Sequence, residues 1–231
     1  FQSDVIDVEL LMDNAMLAVN YQQASKNKIS YILAGTNTAT EGMPMPSNMN
    51  WFKYDKKNIE DIISKFSGQQ LDTYPIIGSI DLIKFILFKR IKWISFLDFF
   101  DYNKANAIEL LKNKYDFKPY PYKHYESVFT RFYQGYILPN KFNIDKRKLH
   151  LSTLIASGQL TRKDALIELK KKHAYPSEEM LENDKLYFLK KLNWTQNKLH
   201  DYLSRPEKSH LNYKSEKKFF ELCLKIYKLF K

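Results

Sequence analysis

From Asp4 to Lys28 the apolar residues Val5, Val8, Leu11, Met12, Ala15, Met16 and Val19 recur at three- and four-residue steps. That spacing predicts an amphipathic helix, with Asp4 as its N-cap. "ISYILA" (29–34) is short, β-branched and aromatic, which predicts a strand. A loop over 35–54, punctuated by Gly42, Pro44 and Pro46, separates it from a second helical stripe at 55–66, and Gly68 then leads to a weakly extended "LDTYPII" (71–77). Helix, strand, loop and helix in this order form a fragment of an α/β layered domain. One strong and one weak strand cannot close a sheet, so further strands are expected upstream or in a partner. The apolar run 80–100 carries Lys84, Lys89, Arg90 and Lys92 and reads as a buried or surface-lying element rather than a membrane span.

Beyond about residue 101 the pattern turns helical. Helices are predicted over 103–115, 123–137, 145–158 and 161–172, the third closed by Gly158 and the fourth opened by Thr161 with Asp164 three residues on. Segments 178–192, 195–204 and 215–230 are amphipathic and lysine-rich. The expected architecture is an α/β domain over 1–100 followed by a mainly α-helical region over 101–231, with helix dominant in the whole.

Composition changes this picture in two ways. Cys223 is the single cysteine, so no intrachain disulfide and no cysteine-based zinc site can form, and the reading is a core residue in a reduced, cytoplasmic protein with no signal peptide. The net charge of +11 falls entirely after residue 130. Such a basic half suits phosphorylated ligands, nucleic acid or solvated lysine faces. Without a dense arginine cluster or interleaved aromatic motif, the pattern argues against nucleic acid.

The densest polar chemistry lies in "KHYESVFTRFYQGYILPNKFNIDKRKLHLS" (123–152). On a helix over 123–137, His124, Ser127 and Arg131 share one face, and Glu126, Thr130 and Gln134 line the next. Aromatics at 125, 129, 132, 133 and 136 fill the rest, so these polar groups must be hydrogen-bonded to each other or to a ligand. Arg131 and Arg147 are candidate phosphate donors, whereas Lys146 and Lys148 are read as pointing to water. His124 and His150 lean functional through their neighbours, while His173, His200 and His210 are read as structural. The six glycines are too scattered for a phosphate loop, and HExxH, CxxC and GxSxG are absent from these 231 residues.

Two blocks together carry a resemblance. "DVEL…DNAMLAVNYQQASKNKISYILAGTNTATEG…NWFKYDKKNIEDIISKF…LDTYP" and the 123–170 block resemble the N-acetyl sugar amidotransferase family, the WbpG/PseA-like PP-loop enzymes of lipopolysaccharide and nonulosonic acid biosynthesis. Residues 175–231 suggest no relative. The resemblance implies a partial adenine nucleotide alpha-hydrolase-like (HUP) sheet, ATP with Mg2+, and adenylation of an N-acetyl carbonyl on a nucleotide-linked sugar. Ammonia from a HisH-like glutaminase, working with a HisF-like partner, would then give an acetamidino group. It implies catalytic roles for Lys123, His124, Glu126 and Arg131, and nucleotide contacts from Gly35, Asn37, Glu41, Lys141 and Arg147. Substrate contacts would come from Ser127, Thr130, Gln134 and His150, with no resident metal ligand set.

In this family an SGGxDS-type pyrophosphate loop precedes the position of Asp4. These 231 residues hold none, so the chain alone is expected not to turn over. Two alternatives stay open: a PP-loop enzyme acting on tRNA, and a non-catalytic helical module that docks a glutaminase. The enzymatic reading requires that the 35–42 turn and the 123–137 segment meet at one anion-binding crevice.

Overall fold

The computed structural model describes residues 1–46, 48–69, 71–120, 122–171 and 174–229, apart from the Tyr227 side chain; His173 lies outside the described residues. Helices dominate, and the strands described form one two-stranded sheet. The chain divides into two compact units: 1–34 with 46–94 and 207–231, and 35–45 with 95–206. Among the described residues no helix is long and apolar enough to cross a membrane.

In the first unit, helix α1 spans Leu10–Lys26 rather than beginning behind Asp4. Asp4 is no N-cap: it adopts a left-handed φ of 54°, and its carbonyl accepts from the Lys208 amide. Strand β1 is Tyr31–Ala34, as the pattern predicts. Helix α3, Lys56–Phe66, follows helix α2 (Thr38–Glu41, in the second unit) and is capped by Asp55, whose carboxylate accepts from the Asn58 amide. The extended stretch 71–77 forms no strand. The 80–100 run instead breaks into α4 (Ser79–Ile83), a π-helical turn (Lys84–Phe88), strand β2 (Lys92–Ser95) and a 3-10 turn (Phe96–Phe99). β2 is the pairing partner of β1, and the Lys92 amide donates to the Ser30 carbonyl. Alternation was masked there because one apolar run holds four kinds of element.

The core of this unit packs Ala18, Tyr21 and Ala24 of α1 against Ile77, Leu82 and Ile91. Asn14 is fully buried in the same helix; its amide donates to the Lys53 and Ile77 carbonyls, and its Oδ1 accepts from the Ile77 amide. A 3-10 turn at His210–Asn212 and helix α12, Lys217–Leu229, belong to this unit. Their approach is polar as well as apolar. Asp55, with 0% exposure, accepts from Trp51 Nε1, Ser215 Oγ and the Glu216 amide. The His210 ring stacks on Trp51 at 4.8 Å between centroids.

The second unit contains α5 (Lys104–Tyr115), α6 (Val128–Phe132), a π-helical turn (Tyr133–Ile137) and α7 (Leu138–Phe142). It continues through α8 (Arg147–Ala156), α9 (Arg162–Leu169), α10 (Glu178–Leu192) and α11 (Gln196–Ser204). The single helix expected over 123–137 begins only at Val128. His124 sits in the left-handed region at φ 67°, which no helix accommodates, and Ser127 caps the start by accepting from the Thr130 amide. The expected shared face of His124, Ser127 and Arg131 is therefore not a helical face. The core is aromatic: Phe132, Tyr133, Ile137 and Leu138 are buried with Phe188 of α10, and Phe132 and Phe188 lie 4.8 Å apart. Gly135 lets this turn approach Tyr175, since a Cβ there would meet the ring at 2.9 Å.

Candidate functional site

A cavity of about 570 Å³ opens inside the second unit. Its wall takes Lys104 from the start of α5, Lys123 from the preceding loop, Arg131 and Gln134 from α6 and its π turn, and Lys146, Arg147 and His150 around the start of α8. Leu151, Leu154 and Leu160 make an apolar side, and Tyr102 and Tyr122 bring two aromatic rings. Thr40 of α2 also reaches it. Cations beside a leucine wall suit a ligand with one anionic and one apolar part, and the volume falls in the range of small-molecule sites.

The 35–45 segment is held locally. Asn37 caps α2 by accepting from the Thr40 amide and hydroxyl. The Thr38 amide and hydroxyl donate to the Asp98 carboxylate, and Thr36 Oγ1 lies 2.9 Å from Ser95 Oγ. Glu41 at the end of α2 accepts from Lys123 Nζ at 2.7 Å. Thr40, within the 35–42 turn, and Lys123, in the loop before α6, thus both line the cavity. Asn37 acts as a helix cap here, and a Cβ on Gly35 would meet nothing within 4 Å.

The expected arginines are oriented by carboxylates. Arg131 Nε and Nη2 grip Asp184 at 2.5 and 2.6 Å, and Nη1 donates to the Tyr125 carbonyl. The hydrogen bond to Asp184 raises the pKa of Arg131. Arg147 takes the Asp145 carboxylate with Nε and Nη2 and extends Nη1 to the carbonyls of Glu168, in the last turn of α9, and Lys171, just past it. Burial alone would raise the Asp145 pKa, but the hydrogen bonds from Arg147 outweigh it and leave it lowered. Both arginines line the cavity while being fixed in the scaffold.

The remaining candidates divide. Lys123, Gln134 and His150 face the cavity. Lys141 donates to the Tyr202 and Arg205 carbonyls at the end of α11 and is not among the lining residues. Ser127 and Thr130 bond to one another at the start of α6. Glu126 is exposed, with an Oε1 3.8 Å from His124 Nδ1. Lys104, Tyr102 and Tyr122 were missed by sequence reasoning, and Lys146 was read as pointing to water. No motif marks them, because folding alone brings the stretch before α5, the loop before α6 and the start of α8 to one wall.

The two histidines lie together, ring centroids 5.9 Å apart. Burial first, then Lys123, His124, Lys146 and Lys104, push the His150 pKa down to about 3. Burial, then Lys123, lower that of His124 as well. Burial and Lys123 also lower the Lys104 pKa. Five cations, Lys104, Lys123, Arg131, Lys146 and Arg147, line this wall, with Lys123, Arg131 and Arg147 ion-paired to Glu41, Asp184 and Asp145. Lysine and arginine donors of this kind match the oxygens of an anionic group. Among the described residues no group of three or more His, Cys, Asp or Glu is placed to hold a metal ion.

Residues 126–227 match the family described as LPS biosynthesis protein WbpG-like, C-terminal domain. The chain therefore carries a WbpG-like C-terminal portion, which runs from the residue before Ser127 into α12. The match includes 175–227, where the sequence suggested no relative, and leaves residues 1–125 unmatched. Neither a curated protein nor a solved structure matches the chain.

Proposed function

We propose that this chain, with its WbpG-like C-terminal portion, acts in lipopolysaccharide biosynthesis as part of an ATP-dependent amidotransferase on a nucleotide-linked N-acetyl sugar. The observation that carries the reading is the cationic cavity lying within and beside the matched segment, with Lys104, Lys123 and Lys146 on its wall. In the proposed reaction the acetamido oxygen attacks the α-phosphorus of ATP and pyrophosphate leaves. Ammonia then adds to the activated carbon, and AMP departs with the oxygen to leave the acetamidino group. Fixed cations that need no reorganisation stabilise the negative charge on the phosphates. A HisH-like glutaminase with a HisF-like partner would supply the ammonia, and the first unit would belong to a nucleotide-hydrolase-like sheet.

Titration calorimetry with UDP-N-acetylglucosamine tests the cavity. Saturable binding is expected, weakened on the order of tenfold by Lys123→Ala, as loss of one cation beside a phosphate predicts. Mass spectrometry tests the reaction: a polypeptide joining this chain to an SGGxDS-type loop, given ATP, magnesium and ammonium, should exchange the sugar's acetyl oxygen for NH. Failure to bind this sugar or any other N-acetylated UDP- or CMP-sugar overturns the site. Binding without exchange by the joined polypeptide overturns the reaction.

A further inference from the structure

His150 stands among cations on the cavity wall, with His124 beside it and the Lys123–Glu41 ion pair close by. His150 projects from α8 into the cavity wall, and His124 faces its ring at 5.9 Å from the loop before α6. The groups around them come from every neighbouring element. α2 contributes Glu41, the start of α5 contributes Lys104, and the loop before α6 contributes Lys123 and Glu126. Arg131 comes from α6, while Asp145, Lys146 and Arg147 come from the start of α8, and Asp164 and Glu168 from α9. Several of the carboxylates are already committed: Glu41 to Lys123, Asp145 to Arg147, and Glu168 to Lys171. A proton on His150 therefore meets repulsion as long as the cavity holds no anion.

We infer that His150 takes up a proton from solvent when a phosphate-bearing ligand occupies the cavity, so that the imidazolium becomes part of the anion site. This rests on the reading of the cavity as a phosphate site. The physical reason is a change in the sign of the local field. A single negative charge about 5 Å away, at an effective dielectric near 20, raises the imidazole midpoint by roughly two units. A pyrophosphate diester brings two such charges. The ring that burial, with Lys123, Lys146 and Lys104 beside it, keeps neutral is then held charged, and the site gains a donor that appears only with its ligand.

NMR of the imidazole Cε1–Hε1 resonances tests this directly, with signals assigned by His150→Gln and His124→Gln. UDP-N-acetylglucosamine is the probe, because its pyrophosphate diester keeps a fixed charge across the working range. At saturation the His150 midpoint should rise by about three units, toward 6. Linkage then requires affinity to tighten about fourfold from pH 7.5 to 5.5 if the bound-state midpoint lies near 6. His150→Gln should bind without that pH dependence. Saturable binding with an unmoved His150 midpoint overturns this inference and leaves the anion site standing. Absence of binding overturns both.

Discussion

At the scale of single residues, two buried pairs make measurable claims. The Asp7 amide donates to His210 Nε2, and Nδ1 lies 2.7 Å from Asn58 Oδ1. That arrangement needs a neutral ring with its proton on Nδ1, and burial pushes the His210 pKa down to about 4. Because the folded value lies below the unfolded one, this contribution is complete above pH 6.5 and is lost as pH falls toward 4. Urea melts across that window should show stability dropping by on the order of 3 kcal/mol, and His210→Asn should flatten the slope. The second pair is Arg131 with Asp184, whose side chains are 16% and 5% exposed. Arg131→Ala strands a buried carboxylate and should cost about 3–5 kcal/mol. Asp184→Asn, which leaves the guanidinium without its counter-charge, should also lower the melting temperature. If Arg131→Ala melts like the parent protein, the pair is not part of the scaffold.

At the scale of elements, the start of α6 is the informative case. Ser127 caps it through the Thr130 amide, and the chain before it turns through His124. Ser127→Ala should cost about 1 kcal/mol and Ser127→Asp should restore most of that, because either side-chain oxygen accepts the same amide proton. Thermal melts of the two variants check it, and equal melting of Ala and Asp would refute the cap.

This junction also shows what could be read from the sequence. The helices predicted over 55–66, 103–115 and 161–172 were legible because polar caps stand before clear stripes, as at Asp55 and Thr161, although the last ends at Leu169. The break at 123–127 was not, since "KHYES" keeps helical periodicity and only the left-handed backbone of His124 betrays it. Likewise β2 is hidden in a run whose apolar residues do not alternate. Lys123 and Arg131 could be singled out by type, but Asp184, which orients the arginine, stands 53 residues away. Lys104 reached the site by folding alone.

For the whole molecule, the tie between the chain's two ends within the first unit matters most. The backbone amide of Glu216 and the hydroxyl of Ser215 serve the Asp55 carboxylate, Glu216 Oε2 accepts from the Ser79 amide, and Asn58 donates to the His210 and Lys214 carbonyls. Removing 207–231 should therefore destabilise the first unit by several kcal/mol, on the order expected for a buried carboxylate losing half its partners. Hydrogen exchange would report it as lost protection of α3 amides. Undiminished protection would show that the C-terminal segment only decorates the surface.

That same tie sets an order of events in the cell. During translation, residues 1–94 leave the ribosome well before the segment that completes them. The intervening 95–206 must be made, and can fold, while Asp55 still waits for Ser215 and Glu216. A stop codon or frameshift anywhere in that interval would release a polypeptide with a permanently unfinished amino-terminal body, which quality-control proteases should clear far faster than the finished chain.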